Sequence, residues 1–198
     1  VQAVGKLAPE SYWRADSIAV AAHKLRGPKG IGALVFRGSP ALLRPVLRGG
    51  AQERGLRPGT QDPVLAAGFL RALERAADGP ARYERLGLER DRIEAALGDL
   101  AQPNVTADRV PHVSSLFVPG ARGDELVAAL DLAGLSVSSG SACSAGSSEP
   151  SPALSAMLGD ERALGSIRLS LGDATRPAEV DRAISVLIRL LSARRANP

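Results

Sequence analysis

Cysteine is almost absent from this 198-residue chain, and Cys143 is its only one. That scarcity excludes an internal disulfide framework and any cysteine-rich metal site, and it makes a reducing, cytoplasmic setting the expectation. Histidine is nearly as rare; His23 and His112 stand too far apart in sequence to give a zinc-ligand spacing. No apolar run reaches the roughly 18 residues of a membrane span, and no charged-then-apolar leader can be read. Aromatic residues make up 3% of the chain against 44% hydrophobic residues, so the core has to be built from Leu, Val, Ile and Ala. Lysine is confined to Lys6, Lys24 and Lys29 among 25 basic residues, the rest being arginine. Those arginines alternate with Glu and Asp and bring no aromatic platform with them. The net charge of +4 is therefore read as a solvated surface, with no DNA partner and no membrane implied. The chain opens on Val1 and has its sole methionine at Met157, which leads us to expect a piece of something longer.

What is present is a mixture of short apolar runs and helical periodicities. Residues 17–22 and 31–36 read as strands around the breaker Gly27-Pro-Lys-Gly30, and Thr60 is placed to cap a helix over about 62–77. A domain boundary is expected near residue 80, giving units 1–80 and 81–198. From residue 81 a long amphipathic helix is expected, with Leu86, Ile93, Leu97 and Leu100 on one face and Arg85/Glu89 and Arg90/Glu94 as exposed pairs four apart. Strands are then expected at 104–106, 113–118, 135–137 and 166–171, and helices at about 124–133, from 152, and from Pro177 to the end. The fold class read from this order is α/β, with an α+β domain packed on it.

Three residues carry candidate chemistry. Lys24 follows an apolar run and precedes a glycine-rich turn. A lysine facing a pocket from the end of a buried strand suits Schiff-base chemistry, while the plainer reading has it snorkel to solvent. Arg168 alternates with Ile167 and Leu169, so it lies opposite their apolar face, either as a bidentate carboxylate clamp or as one half of a surface ion pair. Cys143 sits in Ser138-Ser-Gly-Ser-Ala-Cys143, followed by more Ser, Ala and Gly. That setting is too polar for core, so the thiol is either a nucleophile or an ordinary exposed cysteine. His112 follows a proline and is assigned no catalytic part.

Taken in order, Ala22-His-Lys24, Gly27-Pro-Lys-Gly-Ile-Gly-Ala-Leu34, Gly49-Gly50 with Glu53-Arg-Gly-Leu-Arg57 and Gly59-Thr60, Ser138-Ser-Gly-Ser-Ala-Cys143 and Ser166-Ile-Arg-Leu-Ser-Leu-Gly172 resemble the cysteine desulfurases of the NifS/IscS type. The likeness runs from residue 1 to about 190. It implies the C-terminal part of a pyridoxal 5′-phosphate enzyme of fold type I: residues 1–80 the end of the large domain, 81–198 the small α+β domain with the cysteine loop. It further implies a homodimer that converts L-cysteine to L-alanine and leaves a persulfide on Cys143. The sulfur would pass to an acceptor or scaffold protein in iron–sulfur cluster assembly or tRNA thiolation. On the matching positions the resemblance implies that Lys24 holds the cofactor covalently, His23 helps fix the cofactor, Gln2 bonds its ring hydroxyl, Thr60 reaches the phosphate in the neighbouring subunit, and Arg168 grips the substrate carboxylate.

Departures accompany the likeness. Ala21 stands where the family has a serine that bonds the phosphate, a loss of about 1.5–3 kcal/mol for a hydrogen bond to a charged group. Ala51 replaces the third glycine of the family's usual triplet, and Pro58 replaces a common serine. The aspartate that pairs with the ring nitrogen and the histidine that stacks on the ring would both lie upstream of Val1, in an N-terminal half of the same enzyme. These 198 residues alone are therefore expected to lack appreciable activity. Two other readings stay open: a selenocysteine lyase or another fold-type I enzyme, and a non-catalytic partner-binding fragment or degenerate paralogue.

Overall fold

The computed structural model describes residues 1–38, 43–140 and 150–196, which divide into two units, Val1–Arg82 and Tyr83–Pro198. In the first unit, strand β1 (Ser17–Ala21) runs antiparallel to β2 (Gly32–Phe36), with Ser17 opposite Phe36 and Ala21 opposite Gly32. Between them the chain makes a 3-10 turn, Ala22–Leu25, closed by the Gly27 N–H donating to the Ala22 carbonyl at 2.9 Å. Helix α1 (Pro63–Ala76) packs against this turn through a small core of Val20, Ala22 and Phe69, with Val4, Ile18, Leu25 and Ile31 around it.

The cap of α1 is Asp62, whose carboxylate accepts from the Val64 and Leu65 N–H groups at 2.9 Å each. Thr60 was the expected cap. Proline at the first helical position fixes φ there and leaves Asp62 one place upstream, where its side chain reaches the free amides. Thr60 is left exposed, with no side-chain hydrogen bond among the described residues. Helix α2 (Gly79–Glu84) follows, and α3 (Leu86–Leu97) is separated from it by Arg85, so the single long helix expected here is two.

The second unit is built on an antiparallel sheet of β3 (Gln102–Pro103), β4 (Val113–Phe117) and β5 (Ser166–Ser170) in that order. Leu116 is paired with Ile167 and Ser114 with Leu169, so these residues share a face, which α3, α4 (Gly123–Leu132) and α7 (Pro177–Ala196) cover. Ile93, Leu97, Leu116, Leu130, Ile167, Val180 and Leu187 are almost wholly buried there. Each such side chain contributes about 1.5–3 kcal/mol by leaving water, which is how a chain poor in aromatics still forms a core. The first strand lies two residues earlier than expected. Residues 135–137 form no strand; only Ser138 bridges to β5.

Across the sheet, Ser115, Arg168, Phe117 and Ser166 occupy the other face. Helices α5 (Pro152–Leu158) and α6 (Asp160–Leu164) precede β5, and Arg162 of α6 holds this face together. Its guanidinium donates to the Asn104 side-chain oxygen at 2.8 Å and lies 4.9 Å from the Phe117 ring centre, while the Asn104 amide donates to Ser115 and Ser166. His112 is buried edge-on against Tyr83, ring centres 4.6 Å apart.

Candidate active site

Lys24 sits in the 3-10 turn directly after β1. The strand is less buried than expected: only Val20 within it is buried, and Lys24 itself is exposed. Its backbone is nevertheless held firmly. Ala22 is fully buried, and Gly27 lies so near α1 that a β-carbon there would come within 2.9 Å of Ala72 Cβ and 3.0 Å of the Ala22 carbonyl oxygen. Glycine at 27 thus lets the turn seat on the helix and fixes where Lys24 leaves the backbone. Neither His23 nor Lys24 has a hydrogen-bond or ion-pair partner among the described residues.

The first seven residues fold onto the same turn. Lys6 and Leu7 donate backbone N–H to the Ala3 carbonyl at 3.0 and 2.9 Å, through Gly5 at φ +71°. A β-carbon at Gly5 would approach Ala76 Cβ to 2.8 Å and Leu25 Cδ2 to 3.3 Å. This placement brings Gln2, Lys6 and Lys24 into one neighbourhood. The Lys6 ammonium donates to Gln2 Oε1 at 2.8 Å, and burial together with the nearby Lys24 charge holds Lys6 below the ordinary lysine range.

The residues of this cluster suit a phosphorylated aldehyde. It offers a primary amine, a second ammonium, a side-chain amide and an imidazole, and no carboxylate pairs with either lysine among the described residues to compete for an anion. Ala21 follows Val20 at the end of β1 and brings no hydroxyl. Lys6 was not singled out from sequence; its spacing of four from Gln2 across a Gly5 turn was the signal available.

In the second unit Arg168 is half-buried on β5, and its guanidinium has no carboxylate partner among the described residues. Its backbone exchanges both hydrogen bonds with Ser138: Ser138 N–H donates to the Arg168 carbonyl at 3.1 Å, and Arg168 N–H to that of Ser138 at 2.5 Å. The Ser138 hydroxyl donates to the Gly140 carbonyl at 3.1 Å, and a β-carbon on Gly140 would lie 3.7 Å from Ser151 Cβ. Gly140 and Ser151 therefore lie close together, two residues on from the Ser138–Arg168 bridge. Cys143 lies outside the described residues. No group of three or more candidate metal ligands occurs among the described residues.

The aminotransferase class-V family matches residues 1–183. The chain belongs to that family. Its members depend on pyridoxal phosphate. A cysteine desulfurase of Cereibacter sphaeroides is 40% identical over 99% of this chain and 51% of its own length. An IscS-like cysteine desulfurase of Mycobacterium tuberculosis is 40% identical over 94% of the chain and 49% of its own length. A solved NifS-like protein superimposes with a TM-score of 0.81 at 32% identity, over 97% of this chain and 51% of that one. This class-V chain thus spans about half the length of the curated relatives it matches, and its mixed helix-and-sheet architecture is that of the NifS-like enzymes.

Proposed function

We propose that this class-V chain is the C-terminal part of a pyridoxal-phosphate cysteine desulfurase, residues 1–80 belonging to the large cofactor-binding domain and 81–198 forming the small domain. The net change is L-cysteine plus the Cys143 thiol giving L-alanine plus a Cys143 persulfide: the carbon–sulfur bond of the substrate breaks and a sulfur–sulfur bond forms. Bound pyridoxal phosphate supplies the electron sink for that cleavage. The chain's own residues bind, orient and move protons. Arg168 takes the substrate carboxylate through two parallel N–H donors. Lys24 would hold the cofactor and would serve to move a proton at Nζ. His23 and Gln2 orient the ring, and the Thr60 hydroxyl donates to a phosphate in a second copy of the protein, which makes the working form a homodimer.

The observation that carries this reading is the paired hydrogen bonding of Arg168 with Ser138. It puts the residue suited to the substrate carboxylate in register with the start of the segment that contains Cys143, five positions further on. The names borne by the relatives support the same substrate. Sulfur would go to an acceptor or scaffold protein, in iron–sulfur cluster assembly or tRNA thiolation, in the cytoplasm. No helix among the described residues is long and apolar enough to cross a membrane.

The test is alanine production from L-cysteine, with and without a reductant, by the protein and its Cys143→Ser and Arg168→Ala variants, the 198-residue chain being assayed alone and with any upstream polypeptide. Alanine dependent on Arg168, with persulfide only where Cys143 is present, supports the reading. Persulfide formation independent of Cys143 would contradict it. A selenocysteine lyase would instead turn over selenocysteine in strong preference to cysteine. The second reading, a non-catalytic fragment, is favoured by the missing hydroxyl at Ala21 and predicts no cofactor uptake at saturating concentration.

A further inference from the structure

We propose that Lys6 is a positioning residue for the candidate cofactor site, setting the orientation of the Gln2 amide so that its NH₂ group faces the ligand. The inference rests on the pyridoxal-phosphate reading and adds a residue to it. An ammonium is a donor only, so the Gln2 atom it contacts at 2.8 Å has to be the amide oxygen. The Gln2 nitrogen then points away from Lys6 with two donors to offer. The ring oxygen of the cofactor is an acceptor when ionised, and an amide presenting its NH₂ matches it; one flipped by half a turn would present oxygen to oxygen.

The geometry that keeps the two side chains together is built into the backbone. Gln2 and Lys6 are joined by the Ala3–Leu7 turn, whose carbonyl at Ala3 takes both the Lys6 and Leu7 amides. Gly5 at its centre is pressed between Ala76 and Leu25. A β-carbon at Gly79 would fall 1.9 Å from the Gly5 carbonyl oxygen, so the turn has no room to slide. Leu25 belongs to the same 3-10 turn as Lys24, so the Gln2–Lys6 pair and the candidate cofactor lysine are fixed on one support. The Lys24 charge is felt at Lys6, which agrees with the two ammoniums sharing one side of the site.

The experiment compares the parent chain with Lys6→Met, which keeps the aliphatic stem and removes the donors, Lys6→Arg, which restores a donor, and Gln2→Met alone and combined with Lys6→Met. Without cofactor, the side-chain amide resonances of Gln2 are expected to move in Lys6→Met and to return towards the parent in Lys6→Arg. With pyridoxal phosphate, Lys6→Met is expected to weaken binding about two- to tenfold, the worth of one hydrogen bond, and to shift the visible absorption of the bound cofactor. In the Gln2→Met background the same change should do neither. Unmoved Gln2 resonances, or an equal loss in the Gln2→Met background, overturn the inference while leaving the cofactor reading intact. An intact Lys6–Gln2 contact in a parent protein that takes up no cofactor even when joined by its upstream polypeptide overturns the cofactor reading itself.

Discussion

Substituting Gly27 by alanine tests whether the turn that carries Lys24 is seated as described. Its new β-carbon would stand 2.9 Å from Ala72 Cβ, 3.0 Å from the Ala22 carbonyl oxygen and 3.1 Å from Ala22 Cβ. Carbon atoms in comfortable contact are about 3.5–4.0 Å apart, so α1 and the turn have to separate by roughly half an ångström or more. Two of the three neighbours are rigid: one is backbone, and Ala22 is fully buried. Overpacking of this kind costs about 1–3 kcal/mol. Trp13 is the sole tryptophan and lies in the first unit, so its emission during urea unfolding reports on the unit concerned. The midpoint should fall without a change in slope. Gly87→Ala is the control, because there the nearest atom would be 3.7 Å away and the position is inside α3, where alanine is favoured by about 0.5–1 kcal/mol. It should stabilise the second unit, read by helical circular dichroism. A Gly27→Ala protein as stable as its parent would refute the contact and, with it, the stated placement of Lys24.

Three further outcomes follow from the same reasoning. Glu94 is nearly buried, accepts twice from Arg109 at 2.7 and 2.8 Å and once from the Ser114 hydroxyl at 2.6 Å. Glu94→Gln leaves Asp91, at 3.2 Å, as the remaining carboxylate on the Arg109 guanidinium and should cost about 1.5–3 kcal/mol, the worth of a hydrogen bond to a charged group, in thermal or urea unfolding of the second unit. Asp62→Ala removes both bonds that start α1 and should cost about 0.5–2 kcal/mol in the Trp13-detected transition. Ala21→Ser returns a hydroxyl beside the Lys24 turn and should tighten pyridoxal phosphate in equilibrium dialysis about tenfold or more, the worth of a hydrogen bond to a charged group; unchanged binding would mean that residue 21 does not face the phosphate.

Much of the second unit was legible because its elements alternate or repeat cleanly. Val180, Leu187 and Leu191 of α7 and Ile167 and Leu169 of β5 are buried where their spacing put them. The break between α2 and α3 was not legible, because Arg85 keeps helical backbone angles (φ −61°, ψ −24°) and no punctuating residue marks it. Ion pairs went astray for a related reason. Spacing on the helix offered Arg90 to Glu94, but Arg109 arrives from a distant loop and takes both carboxylate oxygens, while Arg90 turns to Asp91. Thr60 lost its expected capping role to Asp62 once Pro63 fixed where α1 begins. Lys24 and Arg168 were singled out as candidates by the turn and the strand that carry them. Lys6 was silent because its part is played through one side-chain contact with Gln2. The staple between Ser138 and Arg168 was likewise hidden, since a single bridge leaves no periodic trace.

Lys24 is the lysine proposed to hold the cofactor, and Lys6 and Lys29 are the other two lysines of the sequence. Incubation of the protein with pyridoxal phosphate, reduction with borohydride and tryptic mass mapping decide among the three. Added mass is expected on the peptide spanning residues 15–26, with cleavage after Lys24 blocked. Label on Lys6 or Lys29, with Lys24 unmodified, would contradict that assignment.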